Sequence, residues 1–536
     1  MSFHTNSSQQ YSLNDITSSL TNREKKALEN SWAKIFAEEI FPFIDEERFR
    51  VLYSDRTQCR ANTPVNVCVG ALIIKELFQI SDDEIVENLM LDPRYQYALH
   101  TTSYEEQPLS DKTLSRFRKR CYDYESAYGI DLLHDCVVDL SSKIAKIMNI
   151  NPRIKRMDSL MIEANIKNFS RAELLYACVA KLVLYLHKEH KDDLLNGLEH
   201  YYAPNDFNQT FYYSDSTNTD EQIHSILCDA DKLLTLCNSD YDDTTEYQLL
   251  VRCLHEQTVI EDSVRRLRNK DDGGLSSSML QSPTDPDATY REKSGKKYRG
   301  YVANLEETVS KNGSVITNYQ FEQNTYSDSQ FLQDSLQKTE HQEEGSFLIA
   351  DGAYCGAENT ALAASKNIKL VTTDLSGKDV ADIYADFELN EDGNRIIKCP
   401  AGYSPISCCC SSSNGRIHAS FSKECCMNCP HKSECQVKEH KEVCSIDMSS
   451  TAKYRATTRR YMKTDEFKAL ARLRNGIETL PSLLRNRYHV DRMPVFGKIR
   501  SRFFFGCKVA ALNVRKLFTF RNGLGNYAQN PMLTQQ

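Results

Sequence analysis

Phe347-Leu-Ile-Ala-Asp-Gly-Ala-Tyr-Cys-Gly356 decides how the rest of the chain is read. Its first four residues suit a short buried strand; Asp351 follows directly, with Gly352 behind it. A carboxylate so placed stands at the carboxyl end of a strand, where ligands gather in open α/β sheets. Working outward, the pattern predicts a strand over 346–350, a helix over 357–366 and a further strand over 368–372. Upstream, a helix over 329–339 follows two strands, 298–309 and 315–323. These flank Lys311-Asn-Gly-Ser314, and Asn312-Gly313 is a strong hairpin signal.

Further upstream, Arg153-Ile-Lys-Arg-Met-Asp-Ser-Leu-Met-Ile-Glu-Ala-Asn165 alternates enough to be a strand over 154–166, carrying Asp158 beside Lys155 and Arg156. In chain order this gives strand, long helical insertion, hairpin, helix, strand, helix, strand. The fold class is therefore α/β, a mixed sheet with a large insertion after its first strand. A third acid, Glu478 in Arg472-Leu-Arg-Asn-Gly-Ile-Glu478, lies on a predicted helix whose apolar positions Leu470, Leu473, Ile477, Leu480 and Leu484 alternate by three and four. Arg474, Glu478 and Arg485 fall on one narrow face of it. Gly476 and Pro481 weaken that helix, and Pro481 is expected to kink it.

Carboxylates this far apart act together only if the fold converges them. Converged, they suit two Mg²⁺ ions about 3.5–4 Å apart, which stabilise the attacking and leaving oxygens of an in-line displacement at phosphorus. Arg474 and Arg485 would then bind nearby phosphates. A single Asp is more often a cap or turn residue; three in these contexts, beside a basic tail, favour the metal reading.

The 536 residues are too many for one ordinary core, so two to four units are expected. With 40% hydrophobic and 26% charged residues, the chain reads as soluble and globular. No apolar run approaches the ~20 residues a membrane helix needs. The polar start Met-Ser-Phe-His-Thr-Asn-Ser-Ser is not a signal peptide, so a cytoplasmic protein is expected, nucleoid-associated when bound to DNA. Net charge is −8 but uneven. Residues 215–262 hold 12 acids and two bases, whereas 451–518 hold 17 Lys and Arg against four acids, the electrostatic footprint of a phosphate-backbone surface.

Residues 22–36 form an amphipathic stretch, and 65–80 an apolar helix. Ser81-Asp-Asp-Glu84 opens another helix with a capping-box pattern. Leu109-Ser-Asp-Lys-Thr-Leu-Ser-Arg-Phe-Arg-Lys-Arg120 starts a third, with Ser110 or Asp111 as N-cap. Its Lys112, Arg116, Arg118 and Lys119 are the N-terminal candidates for DNA contact; a surface helix with no such role reads almost the same. Residues 131–150 are helical up to Asn151-Pro152. Residues 171–270 read as helices with acidic loops at 215–220 and 240–243, and the Gly-, Ser- and Pro-rich run 271–289 as a linker or exposed loop.

Of the 19 cysteines, the scattered ones read as core packing and those at 399–444 as a cluster. The Cys426 and Cys429 pair can clamp one metal, and Cys399 and Cys435 could complete a tetrahedral four-sulfur site for a structural zinc. The alternatives are a reduced thiol-rich loop, or another selection from Cys408, Cys409, Cys410, Cys425, His431 and Cys444.

The ordered combination of these pieces resembles the DDE transposases of bacterial insertion sequences, in the group with a helical N-terminal domain and a Cys-rich insert before the catalytic Glu. The resemblance rests on Leu109-Ser-Asp-Lys-Thr-Leu-Ser-Arg-Phe-Arg118, Met157-Asp-Ser-Leu-Met-Ile-Glu-Ala-Asn165 and Asp351-Gly-Ala-Tyr-Cys-Gly356. It continues through Cys399-Pro-Ala-Gly402, Cys426-Met-Asn-Cys-Pro430, Arg474-Asn-Gly-Ile-Glu478 and the run 497–518 with Ala510, Ala511 and Asn513. It implies an RNase H-like core in which Asp158, Asp351 and Glu478 bind two Mg²⁺. Related transposases carry Tyr-x-x-Arg-x-x-x-Glu-x-x-x-x-x-x-Lys on the acidic helix; here Ala471 stands at the Tyr place and Arg485 at the Lys place. Arg keeps a phosphate contact with bidentate geometry, while Ala471 removes a base-stacking ring.

The expected organisation is an N-terminal extension (1–50), a helical DNA-binding domain (51–150), and a catalytic core assembled from 151–170, 290–385 and 451–525. That core is interrupted by a helical insertion and linker (171–289) and a Cys-rich zinc insertion (386–450). The expected activity is metal-dependent cleavage and strand transfer at the element's ends. The partners would be double-stranded DNA, as terminal inverted repeats and target, and a second copy of the chain in a dimer, with no membrane. The competing readings are a decayed or repurposed DNA-binding protein and an RNase H-like nuclease without strand transfer.

Overall fold

The computed structural model describes residues 1–6, 15–56, 59–102, 109–213, 219–237, 240–293, 295–373, 379–411, 415–523 and 530–534. The expected acidic loop at 215–220 lies for the most part outside them.

Six strands make the central mixed sheet: β1 (Ile154–Glu163), β2 (Thr289–Lys293), β3 (Lys296–Ser310), β4 (Gly313–Gln323), β5 (Ser346–Ile349) and β6 (Ile368–Val371). β3 pairs antiparallel with β1 from Lys155↔Thr308 to Glu163↔Gly300. Its other edge is shared by β2 and β4, both antiparallel. β5 runs parallel to β1, and β6 parallel to β5. Side chains alternate between sheet faces with period two, so Ile154, Arg156 and Asp158 share one face of β1 while Met157 takes the other. Met157 packs with Leu348, Ala350, Leu332 and Leu336 under the helices Asp328–Lys338 and Ala357–Ala364. Ile154 packs with Ile349, Val371, Phe467, Leu470 and Leu473. The face that carries Asp158 is thus the face covered by the Glu478 segment.

Further helices include α1 (Val65–Phe78), α2 (Thr113–Tyr128), α3 (Leu132–Ile147), α4 (Ala452–Met462), α5 (Asp465–Asn475), α6 (Thr479–Asn486) and α7 (Lys498–Arg521). α7 is buried along most of its length, against α1, α3 and β4. At its centre Asn513 is fully buried. Its Oδ1 accepts from Ile316 N at 2.9 Å, and its Nδ2 donates to Ile316 O at 2.8 Å and to Ser141 Oγ at 2.9 Å. The amide satisfies both backbone groups at the sheet edge, beside the register shift at Glu306/Glu307, where among the described residues no further strand pairs with β4. Ala33, Phe36, Ile40, Phe41, Ile44 and Phe49 share one core with α1, α3 and α7, so residues 33–49 are packed into the helical body and not appended to it.

The insertion after β1 has its own apolar core, built from Arg171–Lys188, Thr219–Cys237 and Thr245–Gln257. It departs from an all-helical reading at its end, where Thr258–Glu261 and Val264–Leu267 form a two-stranded ribbon. The segment 271–289, expected as a linker or exposed loop, is buried in part, at Leu280, Ser282, Asp285 and Ala288. Tyr301 Oη donates to Asp285 at 2.5 Å, and Lys181 Nζ to Pro283 O at 2.7 Å. The Cys-rich segment folds as a four-stranded antiparallel sheet of Ser407–Cys410, Arg416–Ser422, Val443–Ser449 and Lys438–Glu439 over a small core with Phe387, Ile417, Phe421 and Met448. Among the described residues no helix is long and apolar enough to cross a membrane.

Candidate active site

The parallel register pairs Ile154, Lys155 and Arg156 with Phe347, Leu348 and Ile349. Two residues further on, Asp158 comes level with Asp351 as β5 ends. Asp351 turns the chain by accepting from Gly352 N and so caps the short 3₁₀ turn Gly352–Tyr354. Tyr354 is fully buried and donates to Asn304 Oδ1 on β3 at 2.7 Å, which pins the turn to the sheet.

Glu478 arrives from the other side. The expected single helix is three pieces: α5, a 3₁₀ turn Gly476–Glu478, and α6. The tightening keeps Arg474 and Glu478 neighbours, with Nη1 3.9 Å from Oε1. Pro481 produces no break of its own, because it sits in the first turn of α6, where an amide N–H has no helical partner. Arg474 also reaches Asp351, Nη2 to Oδ2 at 3.6 Å. Arg474 therefore lies between Asp351 and Glu478, and its charge is also felt at Asp158.

Burial is the main influence on Asp158 and pushes its pKa up to about 6. The Ser159 amide, which donates to Oδ1 at 2.8 Å, opposes the rise, as do Lys293 and Arg474; the Asp351 charge adds to it. Glu478 and Asp351 are more open, their side chains 63% and 42% exposed. Among the described residues, no group of three or more His, Cys, Asp or Glu side chains is positioned to hold a metal ion. The cation that Asp351 and Glu478 meet is Arg474.

The other sequence candidates divide. Arg485 does not share the open face with Glu478: it donates to Met161 O at 2.7 Å and pairs with Asp491 at 3.2 Å, fastening α6 to the end of β1. Arg118 is turned inward to Asp82 and lies over the Phe504 ring. Lys112 and Arg116 are exposed, and Lys119 is exposed beside Asp123 at 2.6 Å. α2 starts at Thr113 with Lys112 in the cap position, so neither Ser110 nor Asp111 is its N-cap; Ser110 Oγ instead lies 2.9 Å from Thr113 Oγ1.

Cys399, Cys426, Cys429 and Cys435 line one pocket, together with Cys425, Phe387, Tyr403 and Phe421. Burial, with the neighbouring thiols, raises Cys426 to about 12 and Cys435 to about 11. As positioned these thiols are not a metal chelate either.

Several site residues were not singled out from sequence. Lys293, at the end of β2, acts on Asp158. Tyr454 on α4 sets its hydroxyl over the Asp351 loop, 3.4 Å from Cys355 Sγ and 3.1 Å from Thr360 Oγ1, and accepts from Gly356 N at 3.3 Å. Arg156 is buried beneath α5. No local signal marks Tyr454, since its partners lie about 100 residues upstream.

Residues 398–518 match the family model described as "Transposase DDE domain", and residues 22–120 match "Transposase domain (DUF772)". The first stretch carries Arg474, Glu478 and the pocket-lining cysteines; Asp158 and Asp351 lie outside both. No curated protein and no solved structure matches the chain. A DDE domain implies a divalent metal, typically Mg²⁺, and a DNA substrate. At two separate stretches, then, this chain carries the domains of a transposase, as a DDE transposase of the insertion-sequence type does.

Proposed function

We propose that this chain is a transposase that cleaves DNA at the ends of an insertion sequence and joins the freed ends to target DNA, with an RNase H-like core and with Asp158, Asp351 and Glu478 as the metal-holding carboxylates. The observation that carries the proposal is that Arg474 bridges Asp351 and Glu478 while the parallel register brings Asp158 level with Asp351. Hard carboxylate oxygens converging on positive charge are the donor set that suits Mg²⁺. When bound, the metal supplies Lewis-acid stabilisation of the phosphoryl oxygens and a more nucleophilic water or 3′ hydroxyl.

The protein's own residues do the rest. Asp158, with a pKa near 6, carries a proton part of the time near neutral pH, which lowers the repulsion between neighbouring carboxylates. Arg474 balances Asp351 and Glu478, and its planar fork can turn to a DNA phosphate as the cation charge is replaced. Arg485 braces α6 against β1. Lys112, Arg116 and Lys119 offer exposed charge to a DNA backbone, and the basic segment 451–518 extends it. The antiparallel hairpin followed by two parallel strands, with acids at neighbouring strand positions, supports the RNase H-like reading. Cys399, Cys426, Cys429 and Cys435, which line one pocket, are the residues we propose to draw together on a structural zinc in the Cys-rich insert. Two ends must meet for joining, so the acting form is a dimer on DNA.

The test is a gel assay with end DNA and Mg²⁺. Asp351→Asn should abolish cleavage and joining while retaining DNA binding in a mobility-shift assay. Cleavage at the wild-type rate by this variant would sink the assignment. Cleavage without joined product in the wild type would leave a nuclease.

A further inference from the structure

Arg156 lies on β1, two residues before Asp158 and on the same face, and its side chain is 1% exposed. A charge so buried persists only when paired and hydrogen-bonded. Nε donates to Glu307 Oε2 at 2.5 Å, across the register pair Arg156↔Glu307. Lys516 of α7 pairs with the same carboxylate and donates to Ser314 Oγ at 2.9 Å. Burial alone would raise Glu307, but Lys516 and Arg156 outweigh it and hold its pKa down at about 2. The guanidinium is therefore anchored from beneath.

Its remaining reach is upward. Nη1 donates to the carbonyl of Leu473 at 2.6 Å, in the last turn of α5. That carbonyl precedes Arg474 by one peptide and Glu478 by five residues. Gly476 provides the room: a methyl group on it would overlap Nη1 and stand 3.2 Å from Cζ and 3.4 Å from Nη2 of Arg156. The φ of Gly476 is −66°, open to any residue, so its backbone does not require glycine. Glycine there is a matter of space, and the space is filled by a guanidinium fixed at both ends.

We propose that Arg156 is a positioning residue: held by Glu307 and Lys516, it grips the Leu473 carbonyl through the gap at Gly476 and thereby sets where Arg474 and Glu478 stand relative to Asp158. The proposal rests on the function proposed above. Its direct consequence is that Arg156 and Gly476 act on divalent-metal affinity as one unit, although neither touches the metal.

The experiment is a double-mutant cycle read by Mn²⁺ titration, with free Mn²⁺ followed by electron paramagnetic resonance, and in parallel by the Mg²⁺ dependence of end cleavage. Gly476→Ala keeps every charge but displaces the guanidinium. Arg156→Lys keeps the pair with Glu307 but, with one nitrogen, cannot also reach Leu473. Each should weaken Mn²⁺ binding by on the order of 10- to 100-fold, as expected when a residue that orients a metal ligand is disturbed, and raise the half-maximal Mg²⁺ concentration alike, with DNA binding unchanged. On an Arg156→Ala background, Gly476→Ala should cost less than 2-fold more, because the clash has gone. Folded single variants with wild-type Mn²⁺ affinity, or effects that multiply in the double variant, overturn the proposal. If Arg156→Ala does not fold, Gly476→Ala and Arg156→Lys alone decide it. Asp351→Asn is the control: Mn²⁺ bound equally well by that variant would refute the site itself, whereas loss of binding there with none in the Arg156 and Gly476 variants refutes only the positioning role.

Discussion

Replacing Asp158 by Asn should make the folded chain more stable near neutral pH while ending its DNA cleavage. Asp158 has its pKa raised from 3.8 to about 6, chiefly by burial. A folded-state value above the unfolded one means that ionised Asp158 costs stability. That cost is fully present above about pH 6, fades as pH falls towards 3.8 because the folded state takes up its proton first, and is absent below. A rise of this size corresponds to roughly 3 kcal/mol, and residual contact with water brings the expected gain to about 1–3 kcal/mol. Asn keeps an oxygen for the Ser159 amide, so the substitution removes charge and little else. The assay is urea unfolding followed by Trp32, the single tryptophan, which packs on the same core as Leu160 and Ile162 of β1. At pH 7.5 the midpoint of Asp158→Asn should exceed that of the wild type; at about pH 3, below both pKa values, the two should coincide. Mg²⁺ should raise the wild-type midpoint and leave the variant's unmoved. A variant that is no more stable at pH 7.5, or equally more stable at both pH values, refutes the reasoning.

Three further outcomes follow from contacts away from the acids. Asn513→Leu leaves the Ile316 N–H and C=O without partners in a dry interface and should cost about 1–3 kcal/mol in urea unfolding; a loss below measurement error would show the sheet edge satisfied otherwise. Tyr454→Phe removes the hydroxyl that meets Cys355, Gly356 and Thr360. Single-turnover cleavage should slow on the order of 10-fold with DNA binding intact, and a wild-type rate would exclude a role for α4 in shaping the Asp351 loop. Purified protein should contain one zinc per chain by elemental analysis, lost in the Cys426→Ser/Cys429→Ser double variant; a metal-free, stably folded wild type would leave the pocket as thiol packing.

The central sheet was legible because its signals are local. An apolar run ending in Asp351, Asn312-Gly313 between two alternating stretches, and helix-length spacers each specify one element without reference to the rest. The Cys-rich sheet was not, though part of its signal was there: Arg416–Ser422 alternates buried Ile417, Ala419 and Phe421 with open residues. Cysteine and serine on the paired strand Ser407–Cys410 gave no apolar period to match it. The buried half of 271–289 was missed for a similar reason. Its composition is that of a loop, and it is burial against Tyr301, Lys181 and Arg252 that makes it part of the body.

Of the proposed site, the candidate acids could be picked from sequence and the residues packed beneath them could not. Asp158, Asp351 and Glu478 announce themselves by context; Arg156 reads as one more base on a strand, since the partners that bury it lie 151 and 317 residues away. Gly476 and Pro481 look like two faults in one helix when only helix propensity is weighed. They have different causes. Pro481 falls in a first turn, where it removes nothing, whereas Gly476 leaves the space in which Arg156 lies against α5. A helix-former at 476 would improve the local sequence and displace the guanidinium that ties the Glu478 turn to the Asp158 strand. Where a local rule is broken without local compensation, the compensation is to be sought in the packing the segment takes part in, and here it lies where Arg156 of β1 meets the end of α5.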